Sequence, residues 1–269
     1  MVRVHPIEHL RYVARARGAE PAHLARETAH ALATLRADPA NLVVAARRIV
    51  GRHPEAAQLW WLCSHLLVAD DASMLAWELA DRFDDDPVVD ALDRALPPGA
   101  TVVTVGNPTT IGEALCLRPD LRIWCADSEY GAADLLRTLD RHEVAAEPVA
   151  TEQLGRAVGA ADLVVIEARA VCPGRVLAPV GSQVLAAVAG SAGTPVWLVA
   201  PTGTRLPRQY VDEIAARVLA DDGWDGAVDD VPLDLVDIVV TEQGAADMSA
   251  AATAPDCPFA PELLRTGVI

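Results

Sequence analysis

Apolar positions along residues 6–95 recur at intervals of three and four, which predicts a block of consecutive amphipathic helices. Residues 24–35 and 42–50 show this spacing. Asp38-Pro39 resembles an N-cap followed by Pro at the first helical position, and His53-Pro54 repeats that arrangement. Asp71 is predicted to cap a further helix. No run of β-branched residues interrupts the block, so we expect no strand within it.

Trp60 and Trp61 are adjacent within one predicted helix, so their side chains leave it in different directions. We expect one indole to pack in the core and the other to reach an interface, since tryptophan suits both places. The alternative is that neighbouring helices bury both side chains.

After Pro97-Pro98-Gly99 the pattern changes to short apolar runs that alternate with helical segments. Runs such as residues 163–166 suit strands buried on both faces, and strands that alternate with helices predict a parallel sheet. The predicted fold class is therefore α/β, with a helical domain over residues 1–97 and a Rossmann-like domain over 98–269. We expect strands at 101–105, 122–126, 146–149, 162–166, 196–200 and 236–241, and helices at 109–117, 131–139, 181–190 and 208–219.

The chain carries a formal net charge of −16, mostly from its second part. Residues 1–98 hold 11 Arg and 14 acids, whereas residues 99–269 hold 11 Arg and 24 acids. Such a field repels phosphate backbones, so we expect neither nucleic acid nor an anionic membrane as a partner. The acidic segment 221–230 is predicted to be a solvated, mobile loop.

The sequence contains no lysine, a bias typical of GC-rich genomes, so Schiff-base and lysine-base chemistry is excluded. Five scattered cysteines without CxxC spacing indicate reduced thiols rather than zinc or disulfides. Six of seven histidines lie in the predicted helical domain, residues 1–97, and no GxGxxG follows a strand. We therefore expect no metal, no cofactor and no Ser-His-Asp triad. No apolar segment of signal-peptide or membrane-span type occurs, which predicts a cytoplasmic protein.

Ligands of open α/β sheets bind beyond the carboxyl ends of the strands, and four segments follow predicted strands there. Each segment has a structural alternative: an ordinary turn with Thr109 as N-cap, helix capping by residues 127–129, pairing with an acid for Arg169, and an ordinary loop for residues 202–205. The candidate ligand-binding residues in these segments are Gly106, Asn107, Thr109, Thr110, Asp127, Glu167, Arg169, Thr202 and Arg205.

Five segments, taken in order, resemble one known family. They are residues 101–115 (TVVTVGNPTTIGEAL), 161–170 (ADLVVIEARA), 175–187 (RVLAPVGSQVLAA), 194–205 (TPVWLVAPTGTR) and 235–244 (LVDIVVTEQG). The family contains the α, β and δ subunits of translation initiation factor 2B, together with methylthioribose-1-phosphate and ribose-1,5-bisphosphate isomerases. The resemblance implies a helical domain ahead of a Rossmann-like one. It also adds Gly181 and Ser182 to the candidate ligand-binding residues.

The sequence departs from this family where the isomerases carry out proton transfer. Gly106 stands at the position of their Cys, and Arg169 at that of their Asp. Ala178-Pro179 replaces the Asn-Lys pair that helps to hold the sugar phosphate, and the Arg expected after the second strand is replaced within residues 127–129. A glycine cannot move a proton and an arginine cannot serve as a carboxylate base.

The departures predict a non-catalytic, regulatory or metabolite-binding homodimer. Its expected partner is a phosphorylated small molecule, a nucleotide or another protein. Two alternatives stay open: an active aldose-phosphate isomerase with a relocated acid and base drawn from Glu167, Asp127 or Cys172, and a purely structural scaffold.

Overall fold

The computed structural model describes residues 20–34, 39–127, 131–219 and 226–264. Contacts group the chain into two units. The first unit comprises Met1–Asp85, Thr202–Arg217 and Pro255–Ile269, and the second comprises Asp86–Pro201 and Val218–Ala254. The division into domains 1–97 and 98–269 stays a prediction, because a grouping by contacts does not test independent folding.

Helices make up most of the described part of the first unit. They are α1 (Pro21–Thr34), α2 (Pro39–Arg52), α3 (Ala57–Val68) and α4 (Ala72–Asp84), and most of the later helix α10 (Arg208–Val218) joins them.

Asp71 caps α4 as expected, because its carboxylate accepts a hydrogen bond from the Met74 backbone N–H at 3.0 Å. Pro39 is the first residue of α2, whereas Asp38 lies outside the described residues. The prediction that His53-Pro54 starts a helix is wrong. The next helix begins three residues after Pro54 and has no side-chain cap.

Trp60 and Trp61 are both buried, so the expectation of an interfacial indole is wrong. Helix α3 is apolar on nearly every side, and α1, α2 and α4 pack around it. The Trp60 indole N–H donates to the Pro54 carbonyl at 3.0 Å, and the Trp61 indole N–H donates to the Asp256 carboxylate at 2.8 Å. Both polar atoms are therefore satisfied within the unit.

The second unit contains a seven-stranded sheet. Its strands are β1 (Thr101–Val105), β2 (Arg122–Ala126), β3 (Ala145–Val149), β4 (Leu163–Glu167), β7 (Val196–Val199), β9 (Ile238–Thr241) and β10 (Gly244–Asp247). They lie in the order β10-β9-β7-β4-β1-β2-β3. Every neighbouring pair is parallel except β9 and β10, which confirms the predicted Rossmann-like fold class.

Helices cover both faces of this sheet. Helices α5 (Pro87–Ala95), α6 (Thr109–Cys116) and α7 (Ala132–Arg141) bury apolar residues in one core, and α8 (Leu154–Ala160) and α9 (Ser182–Ala192) bury theirs in a second core. Val102 of β1 lies in the first core and Val103 in the second, as the alternation of a strand requires. This is the doubly wound arrangement of parallel α/β proteins.

Several elements of the second unit were not predicted. A hairpin of β5 (Ala170–Cys172) and β6 (Arg175–Pro179) pairs with β8 (Val228–Val231) in a three-stranded antiparallel sheet. Part of the segment 221–230, expected to be a mobile loop, is therefore a strand, and residues 221–225 lie outside the described residues. Strand β10 follows the strand that was expected to close the series, and α8 was also missed.

Within the described ranges, no helix is both long enough and apolar enough to cross a membrane.

Candidate functional site at the carboxyl edge of the sheet

The strand order creates a switch point between β1 and β4. From β1 the chain continues to β2 on one side, and from β4 it continues to β7 on the other. The connections therefore diverge and leave a crevice beyond the carboxyl ends of β1 and β4, the usual ligand position in such sheets. Gly106 and Asn107 follow β1, and Ala168 and Arg169 follow β4.

Gly106 is buried and adopts a left-handed backbone conformation with φ of 68°, which favours glycine. Its N–H donates to the Ala126 carbonyl at 2.9 Å, and its own carbonyl accepts from the Cys125 thiol at 3.3 Å. Gly106 thus continues the pairing of β1 with β2, while the Asn107 side chain is exposed.

Helix α6 begins directly in front of this crevice, and its N-terminus is occupied by a carboxylate of the chain. Pro108 is the N-cap and supplies no side-chain hydrogen bond. Instead, the Ile111 N–H donates to Oε2 of Glu167, the last residue of β4, at 3.0 Å. Thr109 is exposed and Thr110 is buried. Free helix N–H groups attract anions, and at this helix Glu167 is the anion.

Helix α9, which connects the β4 side of the crevice to β7, has a similar arrangement. Its N-cap, Gly181, has a φ of 94°, and the Gln183 N–H donates to the Asp229 carboxylate at 2.9 Å. Ser182 is fully buried, and its hydroxyl has no hydrogen-bond partner among the described residues. A carboxylate from the chain therefore lies at a second helix N-terminus, beside an unsatisfied hydroxyl.

Asp127 and Arg169 have exposed side chains at the ends of β2 and β4. Asp127 is the last described residue before the gap at 128–130, so Ser128 and Glu129 lie outside the described residues. The Arg169 N–H donates to the Leu177 carbonyl at 2.7 Å and starts the hairpin. Its guanidinium makes no ion pair within the part of the chain that the structure describes.

Thr202 and Arg205 belong to the first unit, unlike the other candidates. Both are buried, and the Arg205 guanidinium contacts the Asp256 carboxylate at 3.1 Å. The second oxygen of Asp256 accepts the Trp61 indole N–H. The ion pair with Asp256 gives Arg205 a structural role, which the sequence did not predict.

Gly203 has a packing role. Its φ is 83°, and a Cβ at this position would lie 3.2 Å from the Cα of Gln58 and 3.3 Å from the Phe83 ring. The absence of a side chain at Gly203 therefore lets its backbone lie close to helix α3 of the same unit.

The thiols near the crevice are buried. The pKa of Cys125 is raised to about 12, chiefly by burial and also by the Asp127 charge, while the hydrogen bond to Gly106 opposes the rise. Cys172, a candidate for a relocated acid, is fully buried in the hairpin. Sequence reasoning overlooked Cys125 and Asp229. The first lies in register with Thr104 inside the sheet, and the second was hidden in an acidic segment read as a loop.

Among the described residues, no three His, Cys, Asp or Glu side chains are grouped closely enough to hold a metal ion.

No protein-family profile and no curated protein matches the sequence. Solved structures do match. An eIF-2B translation initiation factor from Pyrococcus horikoshii OT3 has a TM-score of 0.72 at 19% identity, covering 90% of this chain and 96% of that one. The chain has the fold of initiation factor 2B subunits. The eIF2B-β2-δ2 complex from C. thermophilum gives a TM-score of 0.70 at 17% identity, covering 90% of each chain. The eIF-2B δ subunit from A. fulgidus gives 0.59 at 16%, covering 90% of this chain and 88% of that one. At these identities the likeness confirms the predicted resemblance at the level of the fold.

Proposed function

We propose that the chain is a non-catalytic protein of the initiation factor 2B type that has a regulatory role in the cytoplasm. The observation that carries this proposal is the state of the crevice between β1 and β4. Gly106 contributes no side chain there, and the Glu167 carboxylate accepts a hydrogen bond from the Ile111 N–H. Aldose-phosphate isomerisation needs an acid and a base that can reach the sugar carbons. Neither residue is suited to that task.

The remaining groups near the crevice support the same proposal. The guanidinium of Arg169 offers only hydrogen-bond donors, so it can hold an anion but cannot serve as a base. The Cys125 thiol, with its pKa raised to about 12, stays protonated at neutral pH, and a thiol reacts as its thiolate. Cys172 is inaccessible in its hairpin.

The charges at the helix N-termini favour a protein partner over a phosphorylated small molecule or nucleotide. Glu167 lies at α6 and Asp229 at α9, so a phosphate near either helix would meet a carboxylate. The C. thermophilum neighbour is described as a tetrameric β2δ2 complex. By analogy with that assembly, we propose that this chain associates with a second copy of itself.

Sedimentation equilibrium tests the homodimer. We expect a mass of twice the 28.4 kDa chain at micromolar concentration. A monomeric mass across the accessible concentration range would refute the dimer.

A phosphorylated small molecule or nucleotide is the second candidate partner, and Ser182 is the observation that favours it. A buried hydroxyl without a partner costs about 1–3 kcal/mol, and a ligand oxygen at α9 would remove that cost. Residues Gly181, Ser182 and Arg169 would then contact the ligand, with Asn107 and Thr109 at the rim.

A thermal-shift panel of sugar phosphates and nucleoside monophosphates separates the two candidates, because a ligand of the native state raises the melting temperature. A rise that is lost in Ser182→Ala establishes ligand binding. Without a ligand, Ser182→Ala should leave stability unchanged or raise it, because an unsatisfied hydroxyl is removed.

A coupled assay on methylthioribose 1-phosphate and ribose 1,5-bisphosphate tests the absence of catalysis. We expect no turnover above buffer. Turnover that disappears in Glu167→Gln or Asp127→Asn and persists in Glu152→Gln, an exposed glutamate outside the candidate residues, would instead establish a relocated isomerase.

A further inference from the structure

A pocket of about 290 Å³ opens beside β3, the edge strand of the large sheet. Trp124 of β2 and its register partner Glu147 of β3 form one side, and Arg156 and Ala157 of α8 form the other. None of the candidate ligand-binding residues lines this pocket, so it is distinct from the crevice between β1 and β4.

The Trp124 side chain is half-buried. It packs on the core beneath α8 and α9 and also lines the pocket. An indole face open to solvent attracts cations through its quadrupole, more strongly than any other aromatic side chain does. The pocket therefore has one wall that suits an ammonium group.

Glu147 and Arg156 supply opposite charges within the same pocket. Both side chains are exposed, and no hydrogen bond or ion pair joins either one to another described residue. A nearby carboxylate and guanidinium that do not neutralise each other can each bind a complementary group. Gln153 adds an amide that can donate and accept.

The edge of β3 is unsuited to another strand. Pro148 has no N–H, and proline in a sheet occupies an edge with its nitrogen directed outward. A peptide that tried to extend the sheet would find a missing donor beside the charged Glu147 side chain. The occupant that fits this pocket is therefore a small molecule.

We propose that this pocket binds a small zwitterion of the free amino-acid type. The ammonium group lies between the Glu147 carboxylate and the Trp124 indole face, and the carboxylate pairs with the Arg156 guanidinium in two-point fashion. A zwitterion carries no net charge, so the −16 of the chain does not repel it as it repels an anion. The volume is near the lower end of ligand pockets, about 300–1,000 Å³, which suits a molecule of this size.

Isothermal titration of the full chain with each of the twenty free L-amino acids tests the proposal. We expect at least one to bind with a Kd at or below about 1 mM. The amide of that amino acid, which lacks the carboxylate, and its N-acetyl derivative, which lacks the ammonium, should each bind at least about tenfold more weakly. Absence of heat for all twenty at 10 mM overturns the proposal, where 10 mM is roughly ten times the expected limit.

Two variants locate the binding. Arg156→Gln should weaken binding of the amino acid about tenfold and leave the affinity for its amide unchanged. Glu147→Gln should weaken binding of the amino acid and leave the affinity for its N-acetyl derivative unchanged. Both side chains are exposed, so the melting temperature should not move. The matched controls are Arg137→Gln and Glu152→Gln, which are exposed and lie outside the pocket. If the controls and the pocket variants bind alike, the site is not this pocket.

Discussion

The carboxylate of Glu167 lies 3.0 Å from the Ile111 amide nitrogen, 56 residues away along the chain. No sequence pattern indicates this contact, because it exists only once β4 lies beside β1 and α6 begins in front of both. A carboxylate at a helix N-terminus typically stabilises a protein by about 1 kcal/mol through hydrogen bonding and the helix dipole. Glu167 is therefore a structural residue whichever ligand the crevice accepts.

Glu167→Ala should lower the free energy of unfolding by about 1 kcal/mol, since the Ile111 N–H loses its acceptor. Urea denaturation measures this change through the midpoint. Asp127→Ala, which removes an exposed carboxylate at the neighbouring strand end, serves as the control and should shift the midpoint little. Equal effects of the two substitutions would mean that the cap does not contribute.

The environment of His65 predicts that the stability of the folded protein depends on pH. Burial lowers the pKa of its imidazole, and the Arg82 charge lowers it further against an opposing hydrogen bond to the Asp256 backbone. The folded protein therefore binds this proton less readily than the unfolded chain, whose histidine titrates near 6.5. Stability should be complete above that pH and decline as the pH falls below it.

Thermal unfolding between pH 7.5 and 5.5, about one unit either side of the free histidine pKa, measures the decline. His65→Gln, which cannot be protonated, should have a smaller slope than the wild type. Replacement of exposed His142 by Gln is the control. An unchanged slope in His65→Gln would show that other groups cause the dependence.

At the scale of elements, the sequence predicted those whose pattern is local. Strand β1 was predicted at its observed bounds, because a parallel strand buried on both faces leaves a continuous apolar run. The hairpin was missed because β5 has three residues, too few to show alternation. Strand β8 was missed because Asp229 and Asp230 look like loop residues, yet one caps α9 and the other pairs with Arg175 at 2.8 Å. Strands β5, β6 and β8 thus depend on contacts with residues that are distant in the sequence.

Helix α10 connects to the C-terminal segment through Tyr210. The phenol donates to the Ala260 carbonyl at 2.9 Å and accepts from the Ala260 N–H at 2.7 Å, and its ring lies 5.1 Å from that of Trp60. Tyr210→Phe keeps the ring packing and leaves the buried Ala260 N–H without its acceptor, whereas the Ala260 carbonyl keeps the hydrogen bond from the Leu263 N–H at 3.1 Å. We expect a loss of about 1–3 kcal/mol in chemical denaturation. A loss below about 0.5 kcal/mol would indicate that water replaces the phenol.

Gly203→Ala should also destabilise the first unit, because a Cβ would meet Gln58 backbone at 3.2 Å in a left-handed conformation. A cost of about 1–3 kcal/mol is expected from the strain and the overlap together. Gly159→Ala is the matched control, since nothing lies within 4 Å of its added Cβ. If both variants melt at the same temperature as the wild type, the close approach at Gly203 is more adaptable than the distances indicate.

For the molecule as a whole, net charge is the property that follows most directly from the sequence. The partner with which each charged residue pairs is the property that follows least directly. The composition gave −16, but it could not say that Arg205 pairs with Asp256, 51 residues away, among 38 acids. Likewise, the sequence pattern placed Thr202 and Arg205 at a strand end with the other candidates, whereas contacts assign these two residues to the first unit. Which residues share a site depends on packing between distant segments, and a single sequence does not record that packing.

Self-repulsion at this net charge should make stability depend on salt. Raising sodium chloride from about 0.01 to 0.1 M shortens the screening length from roughly 30 to 10 Å, and the melting temperature should rise. Sodium sulfate and sodium chloride compared at equal ionic strength separate screening from salting-out. A melting temperature that falls with chloride would mean that the surface ion pairs outweigh the repulsion.

The two carboxylates at the starts of α6 and α9 compete with anions in solution for the N–H groups of these helices. An anion tethered to its own binding site acts at an effective concentration in the millimolar range or above, and dilution does not remove it. A phosphate compound in solution would have to displace Glu167 or Asp229 before it gained any contact with the helix. Neutralising those two side chains would therefore be the shortest route by which this scaffold could acquire affinity for phosphate.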